Sequence, residues 1–271
     1  MDLPNIETYL RPKNLQTINN WDKDWAWLAG GTWLFSEPQP QLRVLVDMQF
    51  LDWSEIKIQE ENLLIGATCP LIKILQYSWQ SEWTAIAGLK SAISVLAASL
   101  KVINMATVGG NLCLALSVGT LAPIMIALGA KYEIWNLQGE ARLVAAEDFQ
   151  IGSRQTILQP SEVLRRVLIP IETLKWRVNY QRFGIAATDP ALAIVVSAYN
   201  PENLQFKCVI GASVPAPKLL DCHHININYS PFLKNIEFIN NPKASATYRR
   251  EITQTLIKRS LHQLQLTNTH A

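Results

Sequence analysis

Residues 106–130 read ATVGGNLCLALSVGTLAPIMIALGA, 25 positions without one charged side chain. So long an uncharged run has to be buried, and about 20 apolar residues are enough to span a bilayer core. Its internal order argues against a span. Gly109 and Gly110 stand together, Asn111 follows at once, Gly119 and Pro123 come later, and only 121–128 keeps an apolar helical pattern. The stretch therefore reads as a turn closing around something, followed by a buried core helix.

The segments around it mix strands and helices. Residues 41–48 read as a strand, and 56–59 with 63–67, separated by Glu60-Glu61-Asn62, as a hairpin. Leu71, Ile74 and Leu75 fall at helical spacing behind Pro70, which predicts a helix over 70–79; a second, rich in Ala, Ile and Leu, is expected over 84–99. KYEIWNL and ARLVAAE flank a Gln138-Gly139 turn, and SEVLRRVLI between Pro160 and Pro170 reads as a further strand. Beyond it come three expected strands, 176–183, 191–199 and 205–213, with a turn at Asn200-Pro201-Glu202-Asn203. A closing helix over 246–265 carries the stripe Ile252, Leu256, Ile257, Leu261 and Leu264. The order predicts an α+β protein with a boundary near 170–177.

Composition narrows the function. The 24 basic and 22 acidic residues leave a formal charge of +2 without a basic run, so no nucleic-acid partner is indicated. Charged residues make up only 17%, which suits a chain that covers surface against other subunits as well as inside itself. The opening MDLPNIETYL lacks a cationic start and an apolar core, and the expectation is a cytoplasmic protein. Cys69, Cys113, Cys208 and Cys222 show no Cys-x-x-Cys spacing, so no zinc or iron-sulfur site is drawn from them. The His223-His224 pair beside Asp221 and Cys222 reads as a surface loop, and Asp189 before Pro190 as a turn residue.

A second glycine pair lies in Leu28-Ala29-Gly30-Gly31-Thr32, comparable to Ala106-Thr107-Val108-Gly109-Gly110-Asn111. Each brings bare peptide N–H groups together at a bend, and glycine permits positive φ and close approach of a ligand. Two such turns suit a pyrophosphate between them, with Thr32, Thr107 and Asn111 adding side-chain hydrogen bonds and no lysine or arginine required. Either pair also serves as a mere tight turn; neither belongs to a GxGxxG or GxxxxGK[ST] pattern.

With AGGTWL, IGATCPL, the stretch 106–130, ILQPSEVLRRVLIP and YRREITQTLIKRSL in this order, nearly the whole chain resembles the FAD-binding subunit of molybdenum hydroxylases. This is the family of the carbon monoxide dehydrogenase medium subunit and the xanthine dehydrogenase flavin domain. The resemblance implies a two-part FAD-binding domain of the vanillyl-alcohol-oxidase/molybdopterin-dehydrogenase type over 1–172, with parts at about 1–55 and 56–172. A small C-terminal α+β domain, a three-stranded sheet with helices, would follow over 173–271. It implies a first FAD loop at Leu28, Ala29, Gly30, Gly31, Thr32, Trp33 and Leu34, and a second at Ala106, Thr107, Gly109, Gly110, Asn111 and Cys113. Thr120 would make the next contact, Val163 and Leu164 would lie along the cofactor, and Gln181 near the flavin ring. No metal ligand and no catalytic residue are implied on this chain. Trp21, Trp25, Trp27 and Trp33 near the first pair suit packing and subunit contact as well as flavin stacking.

Two departures stand out. Where the family has Ser-Pro-x-x-Asp, the chain has Leu116, Ser117, Val118, Gly119 and Thr120, without the carboxylate. Around Gln181, where lysine is frequent, it reads YQRFGIAATD with Arg182 as the nearby cation. The expectation is an oxidoreductase subunit in a hetero-oligomer, with a molybdopterin-binding large subunit and a small subunit carrying two [2Fe-2S] clusters, its FAD passing electrons to an acceptor. Two alternatives stay open: a degenerate assembly subunit with weak or no FAD binding, and a stand-alone FAD-dependent reductase.

Overall fold

The computed structural model describes residues 3–96, 98–220 and 229–266. The Asp221, Cys222, His223 and His224 cluster lies outside the described residues. The chain starts with a three-stranded parallel sheet in which β1 (Thr8–Leu10) and β2 (Trp25–Leu28) flank β3 (Val44–Asp47). All four residues of β3 are buried, as expected of a central parallel strand covered on both faces. β3 is the inner part of the expected 41–48 strand. β1 and β2 escaped the sequence reading because both are short and neither alternates.

A five-stranded antiparallel sheet follows, in the order β4-β5-β10-β6-β7. Its strands are β4 (Ile56–Gln59), β5 (Asn62–Gly66), β6 (Lys131–Trp135), β7 (Ala141–Ala145) and β10 (Val163–Pro170). Between β5 and β6 run α1 (Leu71–Gln76), α2 (Ile86–Ser94), α3 (Leu100–Met105), α4 (Val108–Leu114) and α5 (Leu121–Ala127). The helix expected over 84–99 ends at Ser94, and Ser99, whose hydroxyl accepts from the Val102 N–H at 3.4 Å, caps a separate α3. After β7 come α6 (Ala146–Phe149) and the two-stranded β8 (Gln150–Gly152) and β9 (Gln155–Thr156).

β10 is the spine of this sheet, Val167 lying opposite Ile65 of β5 on one side and Tyr132 of β6 on the other. A bulge between Leu164 and Arg166 interrupts the β6 side. There Arg165 pairs with Glu55 at 2.7 Å and stacks over Trp53 and Trp135, while Arg166 pairs with Glu133 at 2.8 Å.

The short α7 (Ile171–Leu174) leads to a four-stranded antiparallel sheet, β11 (Arg177–Phe183), β12 (Ala193–Tyr199), β13 (Phe206–Gly211) and β14 (Lys218–Leu220). The expected sheet had three strands; β14 adds a fourth along β13, Cys208 lying opposite Leu220. α8 (Ser230–Lys234) and α9 (Ala246–Leu266) close the described chain. Strand periodicity divides β12 between two cores. Ile194, Val196 and Ala198 join α2 and α5 on one face, whereas Ala193, Val195 and Tyr199 join Leu256, Ile257, Leu261 and Leu264 of α9 on the other.

The uncharged stretch thus splits into α4 and α5, and among the described residues no helix is long and apolar enough to cross a membrane. All seven residues of α5 are buried, and Pro123 is tolerated because it sits in the first turn.

Candidate functional site

After β2 the backbone bends through Ala29, Gly30 and Gly31. Gly31 has φ +66°, the left-handed region that only glycine enters without strain. Gly30 is constrained by space: a Cβ there would lie 1.8 Å from the Met105 carbonyl oxygen and 3.3 Å from the Ala106 Cα. The first glycine segment therefore packs directly on the joint between α3 and α4, which brings the two glycine segments together. Among the described residues, the peptide N–H groups of Gly30, Gly31, Thr32, Trp33 and Leu34 have no turn or loop acceptor. Successive free N–H groups of this kind form an anion-binding concavity.

The second segment differs from expectation. Gly109 and Gly110 lie inside the first turn of α4 and not in an open bend, because Thr107 caps the helix. Its side-chain oxygen accepts from the Gly110 N–H at 3.0 Å and its carbonyl from Asn111 at 3.0 Å. Val108 and Gly109 donate to the Cys69 and Ala67 carbonyls at 3.0 and 2.8 Å. The free backbone donors thus belong to the first segment, and those of the second are engaged internally. Gly109 is needed for packing, since a Cβ would sit 2.7 Å from the Ala67 Cβ. Gly110 is open: within 4 Å its Cβ would meet only the Thr107 side-chain oxygen, at 2.9 Å.

Both segments line one cavity of about 1150 Å³. Its wall takes in Leu28, Ala29, Gly30, Gly31, Thr32, Trp33 and Leu34 from the first segment and Ala106, Thr107, Gly109, Gly110, Asn111 and Cys113 from the second. Thr120, Val163 and Leu164 join them. Four polar atoms on residues of this wall are buried and unpartnered: Asn111 Oδ1, Thr120 Oγ1, Trp27 Nε1 and Arg249 Nε. A buried polar group without a partner costs about 1–3 kcal/mol, so four together mark a region where a polar ligand would bond. Thr120 is fixed from outside the cavity, its carbonyl accepting from the Tyr180 hydroxyl at 2.9 Å.

Gln181 is the exception among the expected residues. It is absent from the wall, and its amide nitrogen donates to Asn179 Oδ1 and Gln263 Oε1, each at 2.8 Å. Alternation along β11 turns Asn179 and Gln181 towards α9 while Arg182 lines the cavity. Arg182 in turn donates to the Asp189 carbonyl.

The sequence reading left Trp27 between packing and flavin stacking and missed several lining residues: Glu162, Asn241, Lys243 and Arg249. Arg249 left a signal. It falls four positions before Thr253 and seven before Leu256, on the buried stripe of α9, where a charge needs a reason. Glu162 is held by Arg142, whose Nε and Nη2 each donate to the carboxylate at 2.7 Å, and this keeps its carboxyl below the usual range. Burial pushes the Cys113 thiol up to about 12, so that side chain is a neutral apolar neighbour. Among the described residues no group of His, Cys, Asp and Glu is arranged to hold a metal ion.

Comparison with known proteins agrees with this geometry. A family model described as the FAD binding domain in molybdopterin dehydrogenase matches residues 4–172. The chain is 28% identical over 137 residues to xanthine dehydrogenase of Oryza sativa subsp. japonica, covering 48% of this chain but only 10% of that protein. It is also 28% identical over 199 residues to the carbon monoxide dehydrogenase medium chain of Afipia carboxidovorans, covering 70% of this chain and 68% of that one. In fold it is similar to a chain of the solved carbon monoxide dehydrogenase from Hydrogenophaga pseudoflava, with a TM-score of 0.83 at 18% identity, over 97% of this chain and 98% of that one.

Proposed function

Since the chain belongs to the family of FAD-binding domains in molybdopterin dehydrogenases, we propose that it is the flavin-carrying medium subunit of a molybdenum hydroxylase. The observation that carries this reading is the single cavity in which Gly30 and Gly110 meet with the unpartnered Asn111 Oδ1, Thr120 Oγ1 and Trp27 Nε1. The residues fit FAD. A volume of about 1150 Å³ lies just above the range of roughly 300–1,000 Å³ usual for small-molecule sites, as a dinucleotide needs. The free N–H groups of 30–34 would hold the pyrophosphate. The orphaned side-chain atoms would bond the sugar and polyol hydroxyls, and Val163 and Leu164 supply an apolar flank that excludes water.

When bound, FAD supplies a redox centre that takes up and releases electrons. The protein's part is to position it and to set its electrostatic surroundings. Among the wall's described residues Glu162 is locked by Arg142 and the Cys113 thiol is neutral. At position 120, where the carboxylate is missing, the Thr120 hydroxyl keeps a buried oxygen without a partner. This favours cofactor binding over a degenerate assembly role.

In this reading the electrons arrive from [2Fe-2S] clusters on a small subunit, a large subunit holds the molybdenum cofactor, and the complex is cytoplasmic. Residues 1–172 provide the glycine segments, and 173–271 form a second domain that completes the cavity through Arg182, Leu192 and Arg249. Exposed apolar side chains on α3, Leu100 at 72% and Met105 at 58%, support a covered surface beside the cofactor. The test is the visible spectrum and FAD content of the purified chain, with co-purification of the two companion subunits. A colourless chain that takes up no FAD, or one that ignores both companions, refutes the corresponding half of the reading.

A further inference from the structure

Arg249 is 3% exposed, yet no ion pair reaches it among the described residues. Its Nη1 donates to the Leu192 and Ala212 carbonyls at 2.7 and 3.1 Å and its Nη2 to Asn241 Oδ1 at 3.3 Å, while Nε has no partner. All these acceptors are neutral, so dipoles alone offset the charge. A buried cation so placed is costly unless an anion comes to it. The wall that Arg249 lines also carries Arg182 and Lys243, and its acidic residue, Glu162, is already engaged by Arg142. The cavity is therefore electropositive on this side.

Its position along the cavity says which part of a ligand it meets. The first glycine segment packs at the N-terminal end of α4, against Met105 and Ala106. Arg249 is tied to Ala212, whose N–H donates to the Ser117 carbonyl at 3.0 Å, just beyond the C-terminal end of α4. The seven residues of α4 separate the two ends by roughly 10 Å at 1.5 Å per residue. A pyrophosphate at the glycine end leaves the guanidinium to another part of the molecule. The other part of FAD that becomes anionic is the ring: two electrons and one proton added to the neutral oxidised ring leave one negative charge, centred near N1.

Resting on the FAD reading above, we propose that Arg249 is the positioning charge that stabilises the reduced, anionic flavin ring, a role that resemblance had assigned to position 181. It acts by Coulomb attraction in a water-poor site and not by proton transfer.

The experiment uses the full chain loaded with FAD, with dithionite supplying the two electrons and water the proton, in wild type, Arg249→Lys and Arg249→Gln. Arg249→Gln is expected to weaken the preference for reduced over oxidised FAD at least tenfold, which for a two-electron couple is about 30 mV, and Arg249→Lys to restore most of it. ADP, which reaches only the glycine end, should bind all three apo chains within twofold of one another. Weakened ADP binding with an unchanged potential overturns the inference and moves the guanidinium to the phosphates. Because Arg249 also ties Leu192 to Ala212, a second reading needs no substitution. In wild type the absorbance of the reduced flavin should show the ring anionic well below the pH at which free reduced flavin takes up its N1 proton. A bound ring protonating as free flavin does overturns the inference. Failure of the wild type to bind FAD while still binding ADP overturns the parent reading instead.

Discussion

Replacing Gly110 with alanine separates the demands of the ligand from those of the fold. Gly110 is the third residue of α4, and glycine there costs up to about 1 kcal/mol relative to alanine. Against that gain, the new Cβ would lie 2.9 Å from the Thr107 side-chain oxygen that caps the helix, and disturbing a cap costs about 1 kcal/mol. The two nearly cancel, so the melting temperature should move by no more than about 3 °C. The methyl group instead enters the cavity, where overpacking against a bound pyrophosphate of about 1–3 kcal/mol lowers FAD affinity roughly five- to 150-fold. Gly30→Ala is the control. Its Cβ would lie 1.8 Å from a backbone oxygen that no rotamer change relieves, so it should cost at least about 3 kcal/mol of stability, or roughly 6–12 °C. Thermal melts and fluorescence titration of the apo chains with FAD read both quantities. An FAD affinity within twofold of wild type in a well-folded Gly110→Ala variant would show that the pyrophosphate does not lie on the start of α4.

Three further outcomes are expected. Thr107→Val orphans the Gly110 N–H and removes the cap of α4, lowering stability by about 1 kcal/mol in denaturant titrations, while Thr107→Ser restores it. Glu162 has its pKa lowered from 4.5 chiefly by hydrogen bonds from Arg142, so the stability it contributes is present above pH 4.5 and is lost as the pH falls through the lower folded value. Glu162→Gln should therefore flatten the acid limb of the melting-temperature profile and lower stability at neutral pH. Gln181→Lys should leave the flavin potential unchanged, because that side chain points towards Gln263 and away from the cavity; a clear rise in a redox titration contradicts the strand alternation described above.

Much of this site was legible because glycine and charge are hard constraints. An uncharged run broken by Gly109-Gly110-Asn111 had to surround something, and helical spacing within 121–128 marked the buried α5. Thr107 before an apolar run was also a readable helix start, and giving it its weight would have placed the second glycine pair inside a helix. Gln181 was not settled by pattern alone. Arg177, Val178, Asn179, Tyr180 and Gln181 alternate polar and apolar, which already sets Gln181 on the face opposite Val178 and Tyr180, but uniform half-burial of β11 leaves unmarked which face meets the cavity. Resemblance fixes a position only to within a residue there, and one residue reverses the side chain. Arg249 depends on tertiary structure: its carbonyl partners, Leu192 and Ala212, come from two different strand connections that only the folded sheet brings to α9.

The paired glycine segments owe their pairing to more than a shared ligand. Gly30 is pressed against the Met105 and Ala106 backbone, and Gly109 against the Cβ and carbonyl of Ala67 just after β5, so two of these glycines are fixed by close packing. Those contacts stack the β2 bend, the start of α4 and the end of β5 with no side chain larger than the Ala67 methyl between them. Only with the bend held there do the free N–H groups of 30–34 face the same cavity as Asn111 and Thr120. Gly110, whose Cβ would press only on the Thr107 side-chain oxygen, is the one whose lack of a side chain the fold demands least. The motif is thus a packing joint with a ligand position set into it, and the position where fold and ligand disagree about the cost of a methyl group is the one that reports on the ligand.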